Sequence, residues 1–360
     1  MLMLKISPYF PFATVWLLCA RQASGASVPR ERCASGGSEV SDLRCCQWFD
    51  VARDLQENLF SHSCEEDALE AIRLAFHDGV GRSRALEHNG TFRGGADGSI
   101  LRFSEIELAY AENHAVDDIV HAIKPFADKH GVGNGDIVQF AAAIALSNCP
   151  GSPRLRFFSG RTEAKSPAPE HLVPSPASSA SDILTRMDDA GFTSDELVAL
   201  LAAHSIGRQR TLDSTRRCEG MALDSTPDAF DTQFYLDVML KGTTYPGNGS
   251  HYGEALSPLK TQFRLFSDEA IARHPSTACT WQSFIDRQGA MMNAFAEAMH
   301  KLAVNGQDVE SLVDCSEAIP SPPLQLWTTP VVYPPGTGFK NVERKCFDSA
   351  FPSLSSGSGS

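Results

Sequence analysis

The chain has 360 residues, 42% of them hydrophobic and 21% charged, with a formal net charge of −13. That apolar content is enough for a sizeable core and for two lobes. The acidic balance excludes the basic footprint by which proteins hold nucleic acid or anionic membranes, and it suits small neutral or cationic reductants.

Residues 1–26 carry Lys5, an apolar stretch from Tyr9 to Ala20 and the small-residue run ending at Ala26. That pattern predicts a secretory signal cleaved near Ala26, and Arg30-Glu-Arg32 offers a second processing site. No later stretch is long and apolar enough to span a membrane, so the expected product is secreted and soluble; a monomer is expected. Losing Cys19 with the signal leaves Cys33, Cys45, Cys46, Cys64, Cys149, Cys218, Cys279, Cys315 and Cys346 from the ten cysteines. In an oxidising compartment an odd set leaves one thiol over, and spacing alone does not give the pairing. Asn89-Gly-Thr and Asn248-Gly-Ser are glycosylation acceptors.

The spacing predicts a helix over Cys46–Phe60 and another over Glu66–Asp78, the stretch EDALEAIRLAFHD. In the second, Leu69, Ile72 and Ala75/Phe76 recur at helical intervals, while Glu66, Glu70, Arg73 and His77 share one face. Such a ladder is either surface support or a site. In favour of a site, an imidazole general base with a guanidinium one turn away is the pair needed to move a proton across a peroxide as its O–O bond breaks, with Phe76 as a wall.

The Gly-rich loop Arg93–Ser99 follows. It lacks the Lys-Ser/Thr of a phosphate-binding loop, so it is either a plain turn or, through Asp97, Ser99 and freed carbonyls, a calcium loop. Helices are predicted from Ser99 to Tyr110, Ala115 to His130 and Asn134 to Asn148, then a Pro/Ser/Gly-rich irregular linker over Pro150–Ser181. Thr193-Ser-Asp-Glu caps a second-lobe helix running into LVALLAAHSIG, where His204 stands alone among apolar residues. A lone histidine there is a core residue or a metal ligand. Asp224 to Asp231 is a second oxygen-rich cluster suited to calcium.

With RLAFHD and LAAHSIG each leading into such a loop, the sequence resembles the secreted class II fungal haem peroxidases from about Cys33 to Cys346. The resemblance implies an all-α, two-lobed fold: signal 1–26, distal lobe 27–175, proximal lobe 176–346 and a Ser/Gly-rich tail 347–360. It implies haem b and two calcium ions. Arg73 and His77 would be the distal pair, Phe76 beside them and Asn113 the acceptor of the second imidazole proton. His204 would ligate iron, with Asp268 accepting its remaining N–H. Asp78, Gly95, Asp97 and Ser99 would hold the distal calcium, and Ser205, Asp224, Thr226, Ala229 and Asp231 the proximal one. The implied disulfides are Cys33–Cys46, Cys45–Cys315, Cys64–Cys149 and Cys279–Cys346, leaving Cys218 free.

Subtype turns on three positions. The family's surface relay Trp, five residues before the proximal His, is replaced by Ala199. Of the manganese carboxylates, Glu66 and Glu70 are present, but the third position is Arg210. Leu223 stands where an aromatic precedes the proximal calcium Asp. The expectation is a generic peroxidase oxidising phenols or similar donors with hydrogen peroxide, a role within lignin degradation in the family, with an atypical manganese peroxidase as the alternative. A non-catalytic haem or calcium scaffold would have no need of the distal pair, and no HExxH spacing supports a zinc hydrolase.

Overall fold

The apolar runs fold as helices laid around one another, and among the described residues the named strands are two-residue pairs. The computed structural model describes residues 30–34, 37–90, 94–213, 220–244, 252–323 and 330–357. Its helices are α1 (Cys46–Leu55), α2 (Glu66–Gly79), α3 (Arg84–His88), α4 (Ser99–Arg102), α5 (Ser104–Glu107), α6 (Asp117–His130) and α7 (Asn134–Leu146). They continue with α8 (Ala180–Ala190), α9 (Ser194–Leu200), α10 (Gln233–Met239), α11 (Phe266–Arg273), α12 (Ala278–Phe284) and α13 (Gln288–Ala303).

Glu66 and Asp67 in the first turn of α2 complement the helix dipole. Its buried stripe of Ala68, Ala71, Ile72, Leu74 and Ala75 packs chiefly on α7. That helix is buried from Gly135 to Leu146, and its alanines let the two backbones come close. Gln139 of α7 donates to the Ala75 carbonyl at 3.2 Å, which pins their relative register. Helix α13 packs against both α2 and α9, so one element ties together the supports of the two key histidines.

Four differences from the sequence-based expectations have tertiary causes. Beyond Leu55 the first helix widens into a π-turn over Gln56–Phe60, where buried Gln56 exchanges two amide hydrogen bonds with Asn148. The expected Ser99–Tyr110 helix breaks at Phe103 into α4 and α5, followed by a 3-10 turn over Ala111–Asn113. After α5 the Glu107 carbonyl accepts from the Asn113 side chain and the Glu107 carboxylate from Ala168 N, contacts that outweigh the propensity to continue the helix to Tyr110. The helix before His204 tightens into a 3-10 turn over Leu201–Ser205. Finally, the irregular stretch after Pro150 is not a loose linker. Buried Arg161 pairs with Asp136 of α7 at 2.8 Å and donates to the Ala303 carbonyl of α13 at 2.9 and 2.8 Å.

Buried side chains from before and after this stretch belong to one continuous apolar cluster. Disulfides join Cys33–Cys46, Cys45–Cys315, Cys64–Cys149 and Cys279–Cys346. The second spans 270 residues, and a bridge closing so long a loop contributes roughly 2–5 kcal/mol.

Candidate active site

His77 is buried on α2, one turn after Arg73, whose Nε donates to His77 Nε2 at 3.1 Å. Asn113 Nδ2 donates to the Glu107 carbonyl at 2.9 Å, and that bond turns Asn113 Oδ1 toward His77 Nδ1 at 2.8 Å. An amide oxygen only accepts, so the ring proton resides on Nδ1 and Nε2 keeps its lone pair. Burial, then the neighbouring Arg73 charge, pushes the imidazole pKa down to about 3, with Asn113 acting the other way. His77 is thus a neutral base throughout the mildly acidic range. Phe76 is half-buried, its ring edge-on to His77 with centroids 6.2 Å apart. Arg73 has an open surface although its deep seat lowers its pKa, the combination expected of a side chain facing an internal cleft.

On the other element the 3-10 turn presents His204, whose Nδ1 donates to the Asp268 carboxylate at 3.0–3.1 Å. Asp268 is buried in the first turn of α11. Phe234 lies edge-on to the His204 ring at 5.7 Å. The imidazole stays 30% open with Nε2 uncommitted among the described contacts. An imidazole with one nitrogen anchored to a carboxylate and the other uncommitted fits a haem iron, as does the open guanidinium of Arg73 donating to the Nε2 of a second imidazole, His77.

Both oxygen-rich loops gather buried carboxylates. In the first, Asp78 accepts from Gly98 N at 3.0 and 3.2 Å and Asp97 from Ser99 N at 3.1 Å. Gly98 has φ +74°, and a Cβ there would lie 2.2 Å from Gly135 N, so only glycine lets this loop seat on α7. Burial, then Asp97 and Glu107, drives the Asp78 pKa well up, and burial raises Asp97 to about 6. In the second, Thr226 Oγ1 lies 3.3 Å from Asp224 and 3.0 Å from Asp231. Ser205 is fully buried and donates to the Ala202 carbonyl at 2.8 Å, while Ala229 N donates to the Thr226 carbonyl at 3.0 Å. Burial, then Asp237 and Asp231, raises Asp224 strongly, and Asp231 is raised to about 6 by burial. Repelling buried carboxylates flanked by hydroxyls and carbonyls fit a hard divalent cation such as calcium.

A pH signature follows. Carboxylates with raised folded pKa values favour the fold below their unfolded value near 4 and lose that contribution as pH rises through about 6. If these loops seat calcium, chelation is expected to lower the melting temperature more at pH 7 than at pH 5, because a cation offsets the repulsion only where the groups are ionised. Calorimetry with and without chelator at both pH values checks this; an equal shift at both removes the carboxylates as the ion's seat.

Glu66 and Glu70 lie on the same helix face as Arg73 and His77. Burial, then Asp118 and Asp67, raises the Glu70 carboxyl to about 7, against the pull of Arg73. Arg210 forms an ion pair with Glu66. The pair is 30% and 48% exposed, so its stability contribution is at most about 1 kcal/mol. Gly220, at φ +80°, backs it: a Cβ there would lie 2.8 Å from Arg210 Cγ. Ala199 is buried, and so are Trp48 and Trp281, while Leu223 joins a small cluster with Met221 and Phe263. Asn89 is exposed; Asn248, Cys218, Trp327 and residues 1–26 lie outside the described residues.

Three side chains escaped the sequence. Glu107, its pKa raised by burial to about 7, accepts from Ala168 N through its carboxylate and from Asn113 through its backbone carbonyl. Asp237 is a third buried carboxylate near Asp224, fixed by Gln233, Gln262 and Ser225 N. Phe234 floors His204. No motif marks them, because each acts through partners distant in sequence.

The helical fold with its imidazole–guanidinium and imidazole–carboxylate pairs defines an all-α peroxidase. The Peroxidase family model matches residues 49–287, and the Fungal peroxidase extension region matches 290–360. The chain belongs to this family, among the class II fungal peroxidases. It is 50% identical to a low-redox potential peroxidase of Taiwanofungus camphoratus, over 88% of this chain and 90% of that protein. It is 44% identical to ligninase B of Phanerodontia chrysosporium over 95% and 93%, and 43% identical to a peroxidase of Arthromyces ramosus over 99% and 98%.

Proposed function

We propose that this peroxidase is of the generic type, secreted, carrying two calcium ions, and oxidising phenols or similar small reductants one electron at a time, with Mn(II) a poor donor. His204 would hold haem b through Nε2, and the haem would supply the redox chemistry when bound. His77 Nε2 takes a proton from hydrogen peroxide and returns it to the departing oxygen, Asn113 keeps the other ring nitrogen protonated, and Arg73 stabilises the developing negative charge. Two phenolic donors then each give up one electron and one proton, so one peroxide and two phenols yield two waters and two phenoxyl radicals.

The Arg210–Glu66 ion pair carries the choice of donor. A manganese site needs anionic oxygens at a near-octahedral ion, and a guanidinium offers no lone pair while occupying one of the carboxylates. The buried Ala199 likewise removes a surface tryptophan relay for bulky donors. The low-redox potential relative agrees with this reading. The alternative, an atypical manganese peroxidase using Glu66, Glu70 and a haem propionate, draws on the shared helix face of the two glutamates. Side-by-side turnover of Mn(II) and a small phenol at one pH decides. Arg210→Asp is expected to raise Mn(II) turnover at least about tenfold by freeing Glu66 and adding a third carboxylate. Saturable, micromolar-range Mn(II) oxidation by the unmutated enzyme overturns the generic assignment.

A further inference from the structure

Asn305 is buried, lies two residues past the end of α13, and takes no part in the proton transfer. Four segments meet at it. Its Nδ2 donates to the Gly79 carbonyl at 2.9 Å and to the Ala190 carbonyl at 3.1 Å, the last residues of α2 and α8. Its Oδ1 accepts from the Arg82 guanidinium at 3.2 Å, so both amide hydrogens and the amide oxygen are in use. Its backbone carbonyl accepts from Ala96 N at 2.9 Å, and the Ala96 carbonyl accepts in turn from Gln307 Nε2 at 3.1 Å. Close approach leaves little slack at this point. A Cβ on Gly79 would lie 2.7 Å from Leu302 Cγ, and one on Gly95, at φ +111°, 2.3 Å from the Asn305 carbonyl oxygen.

Gly79 follows His77 by two residues in α2. At this helix end the Phe76 and Asp78 carbonyls are met by Val80 N and Gly81 N, whereas the Gly79 carbonyl finds its donor, among the described contacts, in Asn305. Just beyond, Arg186 of α8 donates to the carbonyls of Val80 and Arg82. Asn113 orients the His77 ring through Nδ1 but bears on the side chain alone, so it does not fix how deep the backbone carries that ring. We propose that Asn305 is a positioning residue for the reaction with peroxide: it sets the depth of His77 Nε2 in the cleft by tying the last turn of α2 to the ends of α8 and α13 and to the loop at Ala96. Asn305 touches neither the imidazole nor peroxide and acts through the α2 backbone. The lever is steep, because misplacing a reacting group by about 1 Å can cost on the order of 10²-fold in rate. The inference rests on His77 as the base.

Asn305→Leu fills the same space without the two donors, and Asn305→Asp keeps the acceptor for Arg82 while losing them. Steady-state kinetics of the full haem-loaded chain, with p-cresol as donor, separate the two half-reactions. In both variants kcat/KM for peroxide should fall at least about tenfold, while kcat/KM for p-cresol, which brings its own proton, should move less than about threefold. Without turnover, hydrogen exchange should quicken at the Val80 and Gly81 amides of both variants and stay as wild type in α12. A residue that only fills space would instead lower the active haem fraction and scale both constants alike; that outcome, or wild-type kinetics and exchange in both variants, overturns the proposal. A His77→Ala variant as fast as wild type overturns both this inference and the reading of His77 as the base, whereas unaltered Asn305 variants beside a slow His77→Ala overturn this inference alone.

Discussion

His77→Ala will keep haem bound and slow the reaction with hydrogen peroxide by about 10²–10⁴-fold, the loss expected when a positioned general acid–base is removed. The geometry isolates the effect to one nitrogen. Nδ1 is committed to Asn113, so Nε2 beside Arg73 is the atom able to accept the peroxide proton. Stopped-flow absorbance of the haem-loaded variant, with peroxide in excess, measures the rate directly. The unmutated enzyme should also keep its rate as pH falls from 7 to 5, because a base whose pKa is pushed to about 3 is still unprotonated there. The stability consequence has the opposite reach. In unfolded chain the imidazole charges below its ordinary value near 6.5 while the folded one does not, so acid favours unfolding from about pH 6.5 downward. A His77→Ala rate equal to wild type would take the proton transfer away from this residue.

His204→Ala is expected to cut haem affinity by at least about 100-fold, more than the 10–100-fold typical of altering a residue behind a ligand. Asp268→Asn supplies that milder comparison, since the buried carboxylate receiving Nδ1–H is replaced by an amide that still fills its place. Haem titration followed by the Soret band, on apoprotein refolded with calcium, ranks the variants. Wild-type affinity in His204→Ala would place the iron ligand elsewhere.

The helical class and the α2 face were legible because they depend on local spacing. Apolar residues at helical intervals placed Arg73 and His77 one turn apart, and the Thr193–Glu196 capping box marks the start of α9 as expected. What spacing could not show depends on closure between distant segments. Asn113 is oriented by the Glu107 carbonyl and His77 Nδ1, and the helix expected over Ser99–Tyr110 is interrupted at Phe103 before that contact is reached. The 3-10 turn beneath His204 and the π-turn after Leu55 are likewise fixed by packing rather than composition. The Arg210–Glu66 pair was conceivable from charge, but the choice of Glu66 over Glu70 needed the fold to bring Arg210 to that end of α2.

The bridges impose an order on biosynthesis. Cys46 can pair with Cys33 as soon as 13 residues separate them, whereas neighbouring Cys45 must wait for Cys315, 270 residues later. At about 5–20 residues per second the ribosome takes roughly 15–50 s to supply that partner. Throughout that interval a reactive thiol stands beside a finished bridge and can exchange into it. Yield in a heterologous host should thus depend on isomerase capacity more than on the stability of the finished enzyme.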